Sequence, residues 1–217
     1  MKPRFDPILF DLDGTLVNSG QDIANAVNHT IVNMGLTPLP DAELLSYVGD
    51  GVRVLIQRSL TRLGRDDVDK QIEVFRAYYK EHHIDNTYVY PGIIELLDEL
   101  KGAHLGVVTN KPGHFARRVV EGLSLDHHFA TLVGGDETDL IKPHADPLLA
   151  ACKNMGVSPE NGIMIGDFHN DVGGGRAAKM TTCGVTWGFA GSQSVIEAKP
   201  DHLVSNAKEL RKVIFFG

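Results

Sequence analysis

Ile8-Leu9-Phe10-Asp11-Leu12-Asp13-Gly14-Thr15 runs three apolar residues into two aspartates spaced one residue apart. A short apolar run marks a buried strand, and Gly14 permits a sharp turn straight after it. Two carboxylates so close repel one another and lose hydration at a strand end. The arrangement is costly unless it is used. A hard, oxygen-seeking cation such as Mg2+ offsets the repulsion, and an aspartate beside a bound cation can attack phosphorus. Two bland readings compete. A calcium loop needs a third acidic ligand, a glycine at its sixth position and a closing glutamate, and none follows at that spacing. An Asp-Gly hairpin needs a strand right after the turn, whereas Ser19-Gly20-Gln21-Asp22 reads as the start of a helix.

Downstream the pattern changes twice. From about residue 20 to 85 no strand is evident, and apolar spacing predicts helices over Gln21 to Met34, Asp41 to Tyr47, Gly51 to Leu63 and Asp67 to His83. Asp66 or Asp67 suits the N-cap of the last. Pro91-Gly92 closes this block. Beyond it the chain alternates: helix 93–101, strand 104–109, helix 113–123, strand 130–134, helix 146–155, strand 162–166, a helix from about 170, strand 182–186, strand 202–204 and a final helix. Alternation of short apolar strands with helices predicts an α/β fold, a doubly wound parallel-sheet, Rossmann-like core covered on both faces. Residues 19–85 are then a small helical insert after the first strand, and 1–18 with 86–217 form the core. An insert there stands over the carboxyl edge of the sheet, where ligands bind in such folds.

Composition narrows the partners. A chain of 217 residues can bury a full core, and a net charge of −7 argues against nucleic acid or an anionic membrane. No run approaches a membrane span, and Met1-Lys2-Pro3-Arg4-Phe5-Asp6 leads into no signal-peptide stretch. The expectation is a cytoplasmic protein, monomeric or weakly homodimeric, acting on a small molecule. Cys152 and Cys183, far apart among small apolar neighbours, read as reduced core thiols.

More polar groups recur at strand ends. Thr109-Asn110-Lys111-Pro112-Gly113 offers a hydroxyl, an amide and an ammonium before a helix whose N-terminus suits a phosphate. Helix capping by Thr109 and Asn110 is the competing explanation. Lys142 is followed by Pro143, which fixes the chain there, although most single lysines are solvated surface charges. Gly166-Asp167-Phe168-His169-Asn170-Asp171 ends another apolar strand. Asp171 also suits a helix N-cap, but a carboxylate at position 167, straight after the apolar run, is hard to solvate freely. If their strands adjoin, Asp11, Asp13, Thr109, Lys142, Asp167 and Asp171 surround one crevice.

Asp11-x-Asp13-Gly14-Thr15, Thr109-Asn110, Lys142-Pro143 and Gly166-Asp167-x-x-x-Asp171 resemble, in order, the four motifs of the haloacid-dehalogenase-like phosphatases. The resemblance covers nearly the whole chain. The stretches 47–52, 107–112 and 133–136, with Lys142-Pro143-His144-x-Asp146-Pro147, are similar to bacterial phosphoglycolate phosphatases in particular. Asn18, Phe168 and Gly173-Gly174-Gly175 depart from the common pattern. The resemblance implies that the insert is a small α-helical cap and that the chain is an Mg2+-dependent phosphomonoester hydrolase. It implies Asp11 as the nucleophile that forms an aspartyl-phosphate, and Asp13 as acid and then base. It implies Mg2+ held by Asp11, Asp13 and Asp167 with Asp171 orienting that shell, and Thr109, Asn110 and Lys142 neutralising the transferring group. The expected substrate is 2-phosphoglycolate, with pyrophosphate, a small sugar phosphate or a phosphomutase reaction as alternatives. A receiver-type signalling module also combines paired acids, a threonine and a lysine, but its acceptor aspartate lies at mid-chain. The carboxylate of phosphoglycolate calls for a cation. Arg53 and Arg58, on the helix after Gly51, are the candidates, and a solvated position suits each equally well.

Overall fold

The computed structural model describes residues 2–189 and 192–216. In chain order, β1 (Ile8–Phe10) and a two-residue strand β2 (Val17–Asn18) lead into four helices: α1 (Gly20–Asn33), α2 (Asp41–Leu45), α3 (Val52–Arg62) and α4 (Val68–His82). A second two-residue strand, β3 (Tyr88–Val89), brings the chain back. Then follow α5 (Ile93–Glu99), β4 (Leu105–Val108), α6 (Gly113–Gly122), β5 (Thr131–Val133), α7 (Asp146–Met155) and β6 (Ile163–Gly166). The chain closes with α8 (His169–Ala177), β7 (Thr181–Val185), α9 (Ser192–Glu197), β8 (His202–Val204) and α10 (Ala207–Phe215).

Six strands form one parallel sheet in the order β5-β4-β1-β6-β7-β8. β1 lies between β4 and β6, with Phe10 level with Val107 and Ile165. The chain adds strands first on one side of β1 and then on the other, so the strand order reverses there, and the carboxyl ends of these three strands border the crevice of an open α/β sheet.

Side-chain alternation builds two cores. Ile8, Phe10, Leu105, Val107, Ile163 and Ile165 pack on one face with Leu97, Val119, Leu210 and Ile214. Leu9, Val108 and Met164 face the other way, against Leu148, Ala151 and Cys152. Cys152 and Cys183 are free thiols on opposite faces. Helices α1–α4 bury their own cluster, including Val27, Ile31, Leu55, Ile56, Leu60 and Phe75, which Phe115 of α6 joins.

Two elements depart from the sequence reading. A strand does follow the Asp13-Gly14 turn: β2 pairs antiparallel with β3, Val17 opposite Val89. Two residues are too few to show a strand period. Helix α9 was also not anticipated. Below the ribbon, the buried Asp22 carboxylate accepts from the backbone N–H and Nδ2 of Asn86 and from the N–H and Oγ1 of Thr87. This clamps the start of α1 to the returning chain. Asp67 does stand at the N-cap of α4, but its side chain accepts from Gln71 Nε2 and not from a helix N–H.

The glycine run in α8 has a packing cause. A Cβ at Gly173 would lie 2.6 Å from Pro143 Cβ, one at Gly175 2.6 Å from Thr182 Cγ2, and one at Gly174 3.1 Å from Leu148 Cδ1. Close approach of α8 to the sheet and to the Lys142 loop outweighs a helix-propensity cost of about 1 kcal/mol per glycine.

Candidate active site

β1 delivers Asp11 to the sheet edge, where its N–H still donates to Ile165 O in the neighbouring strand. The chain then coils tightly, the Leu12 carbonyl accepting from the N–H groups of Thr15, Leu16 and Val17. Gly14 has φ +90°, and a Cβ there would lie 2.3 Å from Asp167 Oδ2. Glycine is thus required both for conformation and for close approach.

Lys142 is 2% exposed, and its Nζ donates to Asp11 Oδ1 and Asp171 Oδ1, both at 2.7 Å, and to the Val108 carbonyl. Asn110 holds this lysine's backbone from both sides: its Oδ1 accepts from Lys142 N–H and its Nδ2 donates to Lys142 O. The same Nδ2 reaches Gly49 O in the helical insert. Asn110 and Thr109 therefore do not cap α6. Thr109 Oγ1 accepts from Lys111 N–H, and Asp136 takes the N–H of Gly113 at the helix start. For Asp171 both explanations hold together, since Oδ2 accepts from Phe168 N–H at the N-cap of α8 while Oδ1 meets Lys142.

Asp167 is 4% exposed and receives the hydroxyl of Thr15 at 3.1 Å. Ligand oxygens of Asp11, Asp167 and Asp171 all lie within 4.8 Å of one another. Burial pushes the Asp11 carboxyl up to about 7 despite the pull of Lys142. Burial, with the charges of Asp11 and Asp171, holds Asp167 well above the usual carboxylate range. Three buried carboxylates face one ammonium, an excess of negative charge on hard oxygen donors. That donor set fits a divalent cation of the Mg2+ type.

Asp13 points elsewhere. It accepts from Ser19 Oγ at 2.5 Å, and both its oxygens accept from Lys111 Nζ at 3.0 and 2.9 Å. Lys111 also donates to Tyr79 OH at 2.8 Å, with its ammonium 4.8 Å from the Tyr79 ring centroid. Burial opposes the charge on Lys111, but Asp13 and Tyr79 outweigh it and hold the ammonium above its ordinary range. Asp11, Asp13, Thr109, Asn110, Lys111 and Tyr79 line one crevice, walled by Ile23, Val52, Leu55, Phe75 and Phe115. Sequence reasoning places the Lys111 ammonium at a strand end without giving it a task, and gives no site role to Tyr79, Ser19 or Thr15. Lys111 adjoins a motif, which is a usable signal, whereas Tyr79 sits in an ordinary apolar position of a helix.

Arg53 and Arg58 are not brought into the crevice. Arg53 pairs with Asp69 on the exposed side of α3, and Arg58 pairs with Asp50 at 2.7 Å. The helix turns Val52, Leu55 and Ile56 inward, so these arginines point out. Asp50 in turn accepts from Asn170 Nδ2 at 2.7 Å, linking the insert to α8. At the departure Phe168, the ring fits against Gly49, which has φ +124° and where a Cβ would lie 2.7 Å away. Asn18 Nδ2 donates to Tyr88 OH across the β2–β3 ribbon.

The haloacid dehalogenase-like hydrolase family matches residues 8–185. The phosphoglycolate phosphatase of Mannheimia succiniciproducens is 34% identical over 224 residues, covering 99% of this chain and 100% of that protein. That of Escherichia coli K12 is 31% identical over 226 residues, covering 94% and 90%. A crystal structure described as a predicted phosphoglycolate phosphatase from Haemophilus somnus superposes with a TM-score of 0.88 at 29% identity, covering 97% of this chain and 98% of that one. Asp11, Asp13, Thr109, Lys142, Asp167 and Asp171, gathered at one sheet edge, all fall within the matched span, and the chain belongs to the haloacid dehalogenase-like hydrolases.

Proposed function

We propose that this enzyme hydrolyses small phosphomonoesters, 2-phosphoglycolate foremost, through an aspartyl-phosphate formed on Asp11. One observation carries the reading. Asp11 belongs to a buried carboxylate set with Lys142, while Asp13, two residues on, belongs to a separate network with Ser19 and Lys111. Two neighbouring aspartates in such different surroundings suit two different tasks. The relatives named phosphoglycolate phosphatase support the choice of substrate.

In the first step a carboxylate oxygen of Asp11 attacks phosphorus as the ester P–O bond breaks, and Asp13 gives its proton to the departing oxygen. In the second, Asp13 takes a proton from the water that attacks the phosphoryl group. The bond from Asp11 to phosphorus breaks, and orthophosphate and the Asp11 carboxylate are released. Lys142, the Thr109 hydroxyl and the Asn110 backbone N–H face the charge of the transferring group. Asp11, the Asp13 backbone carbonyl and Asp167 would hold Mg2+, with Asp171 orienting that shell. Bound there, the ion supplies positive charge that keeps Asp11 ionised and stabilises phosphoryl oxygens. The helices of residues 19–85 act as a cap that closes over the crevice and excludes water.

The test is phosphate release with Mg2+ from 2-phosphoglycolate, ethyl phosphate, pyrophosphate and hexose phosphates. The expected result is the highest kcat/KM on 2-phosphoglycolate. Isomerisation of a sugar phosphate without phosphate release would overturn the hydrolase reading, and a higher kcat/KM on pyrophosphate or a hexose phosphate would overturn the substrate.

A further inference from the structure

We propose that Lys111 and Tyr79 form the subsite that reads a carboxylate on the leaving group of the substrate. This rests on the hydrolysis of 2-phosphoglycolate proposed above. The two groups stand together, Lys111 Nζ donating to Tyr79 OH at 2.8 Å, and both line the crevice. The Tyr79 oxygen accepts that bond, and its own proton meets no acceptor among the described residues. The side chain is nevertheless 1% exposed. A buried O–H on a residue that lines a crevice, its proton without an acceptor among the described residues, leaves a hydrogen bond to be made. Burial pushes the Tyr79 hydroxyl up to about 12, so it remains a donor at neutral pH.

Position follows from the chemistry of the leaving group. Asp13 must come within about 3 Å of the departing oxygen to protonate it. In phosphoglycolate the carboxyl carbon is two bonds of about 1.5 Å from that oxygen. Lys111 Nζ lies 2.9 Å from Asp13 Oδ2, so a substituent two bonds beyond the departing oxygen is within reach of the Lys111–Tyr79 pair. Lys142 does not compete for this role, because Asp11, Asp171 and the Val108 carbonyl engage all three of its donors. Two of the three acceptors around Lys111 are oxygens of a single carboxylate, so one donor can turn to the substrate without leaving Asp13. The side chains around this part of the crevice are apolar, from Ile23, Val52, Leu55 and Phe75, and Lys111 is the one cationic side chain among the described residues that line it. Such walls strengthen a charge pair and restrict the leaving group to a short chain. The recognised class is therefore the phosphate ester of a short 2-hydroxy acid, and the cation comes from the segment after β4, not from α3.

Because Lys111 also touches Asp13, its replacement alters catalysis on every substrate, and only a ratio isolates recognition. On the full-length enzyme saturated with Mg2+, kcat/KM is measured for 2-phosphoglycolate and for ethyl phosphate, in which a methyl group replaces the carboxylate. The wild type favours 2-phosphoglycolate. Lys111→Met lowers that preference at least about tenfold, the size of a lost charged hydrogen bond, mainly through KM, and Lys111→Arg recovers part of it. Tyr79→Phe lowers it about threefold. Equal loss on both substrates in Lys111→Met overturns the proposal, since Lys111 then serves Asp13 alone. If that variant does not fold, an unchanged preference in Tyr79→Phe overturns it instead. A wild type that hydrolyses both esters with equal efficiency overturns the phosphoglycolate reading as well. A wild-type preference that survives both substitutions overturns only the subsite.

Discussion

Replacing Lys142 with methionine removes an ammonium while keeping most of the side chain's length. In the folded protein that ammonium is buried, 2.7 Å from both Asp11 and Asp171, and holds the Val108 carbonyl. The variant leaves Asp11, Asp167 and Asp171 together without their cation. Breaking a buried pair by removing one partner costs about 3–5 kcal/mol. In a chain of this size each kcal/mol moves the melting temperature by about 2–4 °C, so metal-free Lys142→Met should melt roughly 6–20 °C lower. The loss should depend on pH with a definite sign. Asp11 is raised from 3.8 to about 7, so the folded state binds more protons than the unfolded chain between these values. The stability of the metal-free wild type therefore falls as pH rises through that window and levels off above it. Lys142 is the largest influence pulling Asp11 down, so without it the Asp11 carboxyl holds its proton more tightly. Protonation relieves the variant near pH 5, and the deficit becomes largest near pH 8. Thermal melts in EDTA from pH 5 to 8, repeated with Mg2+, measure this, and Mg2+ should narrow the gap. A variant within about 2 °C of wild type at pH 8 in EDTA, or a larger deficit at pH 5 than at pH 8, would refute the reasoning.

Asp11→Asn keeps the shape of the nucleophile without its charge. Turnover should fall by several orders of magnitude, while melting in EDTA at pH 8 stays at or above wild type because one buried like charge is gone. Mg2+ binding near pH 6 should release protons, since Asp11 is largely protonated there without a cation; calorimetry in buffers of different ionisation enthalpy would detect none if the ion binds elsewhere. Asp22→Ala leaves the buried Thr87 N–H and the part-buried donors of Asn86 without their acceptor, while Thr87 Oγ1 keeps the His83 carbonyl. At about 1–3 kcal/mol for each buried unsatisfied group, urea unfolding should show a loss of at least about 2 kcal/mol, and a loss under 1 kcal/mol would contradict the clamp. Arg53→Ala should change KM for 2-phosphoglycolate by less than about twofold, as expected of an exposed ion pair; a tenfold rise would return the carboxylate to α3.

The apolar runs of β1, β4 and β6, the helical spacing of 20–83 and the polar residues at strand ends are properties of contiguous residues, so each was legible by itself. Asp11, Thr109, Asn110 and Asp167 stand directly after apolar strands, where a polar group has few other uses, whereas Asp13, Lys142 and Asp171 are picked out only by the motifs around them. That they meet depends on strand order: β1 lies between β4 and β6, with Ile8 opposite Leu105 on one side and Ile163 on the other, pairings that no local pattern encodes. The direction of side chains was equally hidden. The sequence displays cations on two candidate elements, but the phase of α3 turns Arg53 and Arg58 outward, while Lys111 reaches Asp13 and Tyr79. Helical spacing marks Tyr79 as a core position, which is true of its ring; only the tertiary packing sets its hydroxyl against Lys111 at the wall of the crevice. Gly173-Gly174-Gly175 shows the same division. A helix from about 170 is legible in the sequence, but the need for glycine within it comes from Pro143, Leu148 and Thr182, whose side chains leave no room for a Cβ. Composition and periodicity act through neighbours along the chain, whereas a site is assembled by neighbours in space, and the fold alone determines which residues those are.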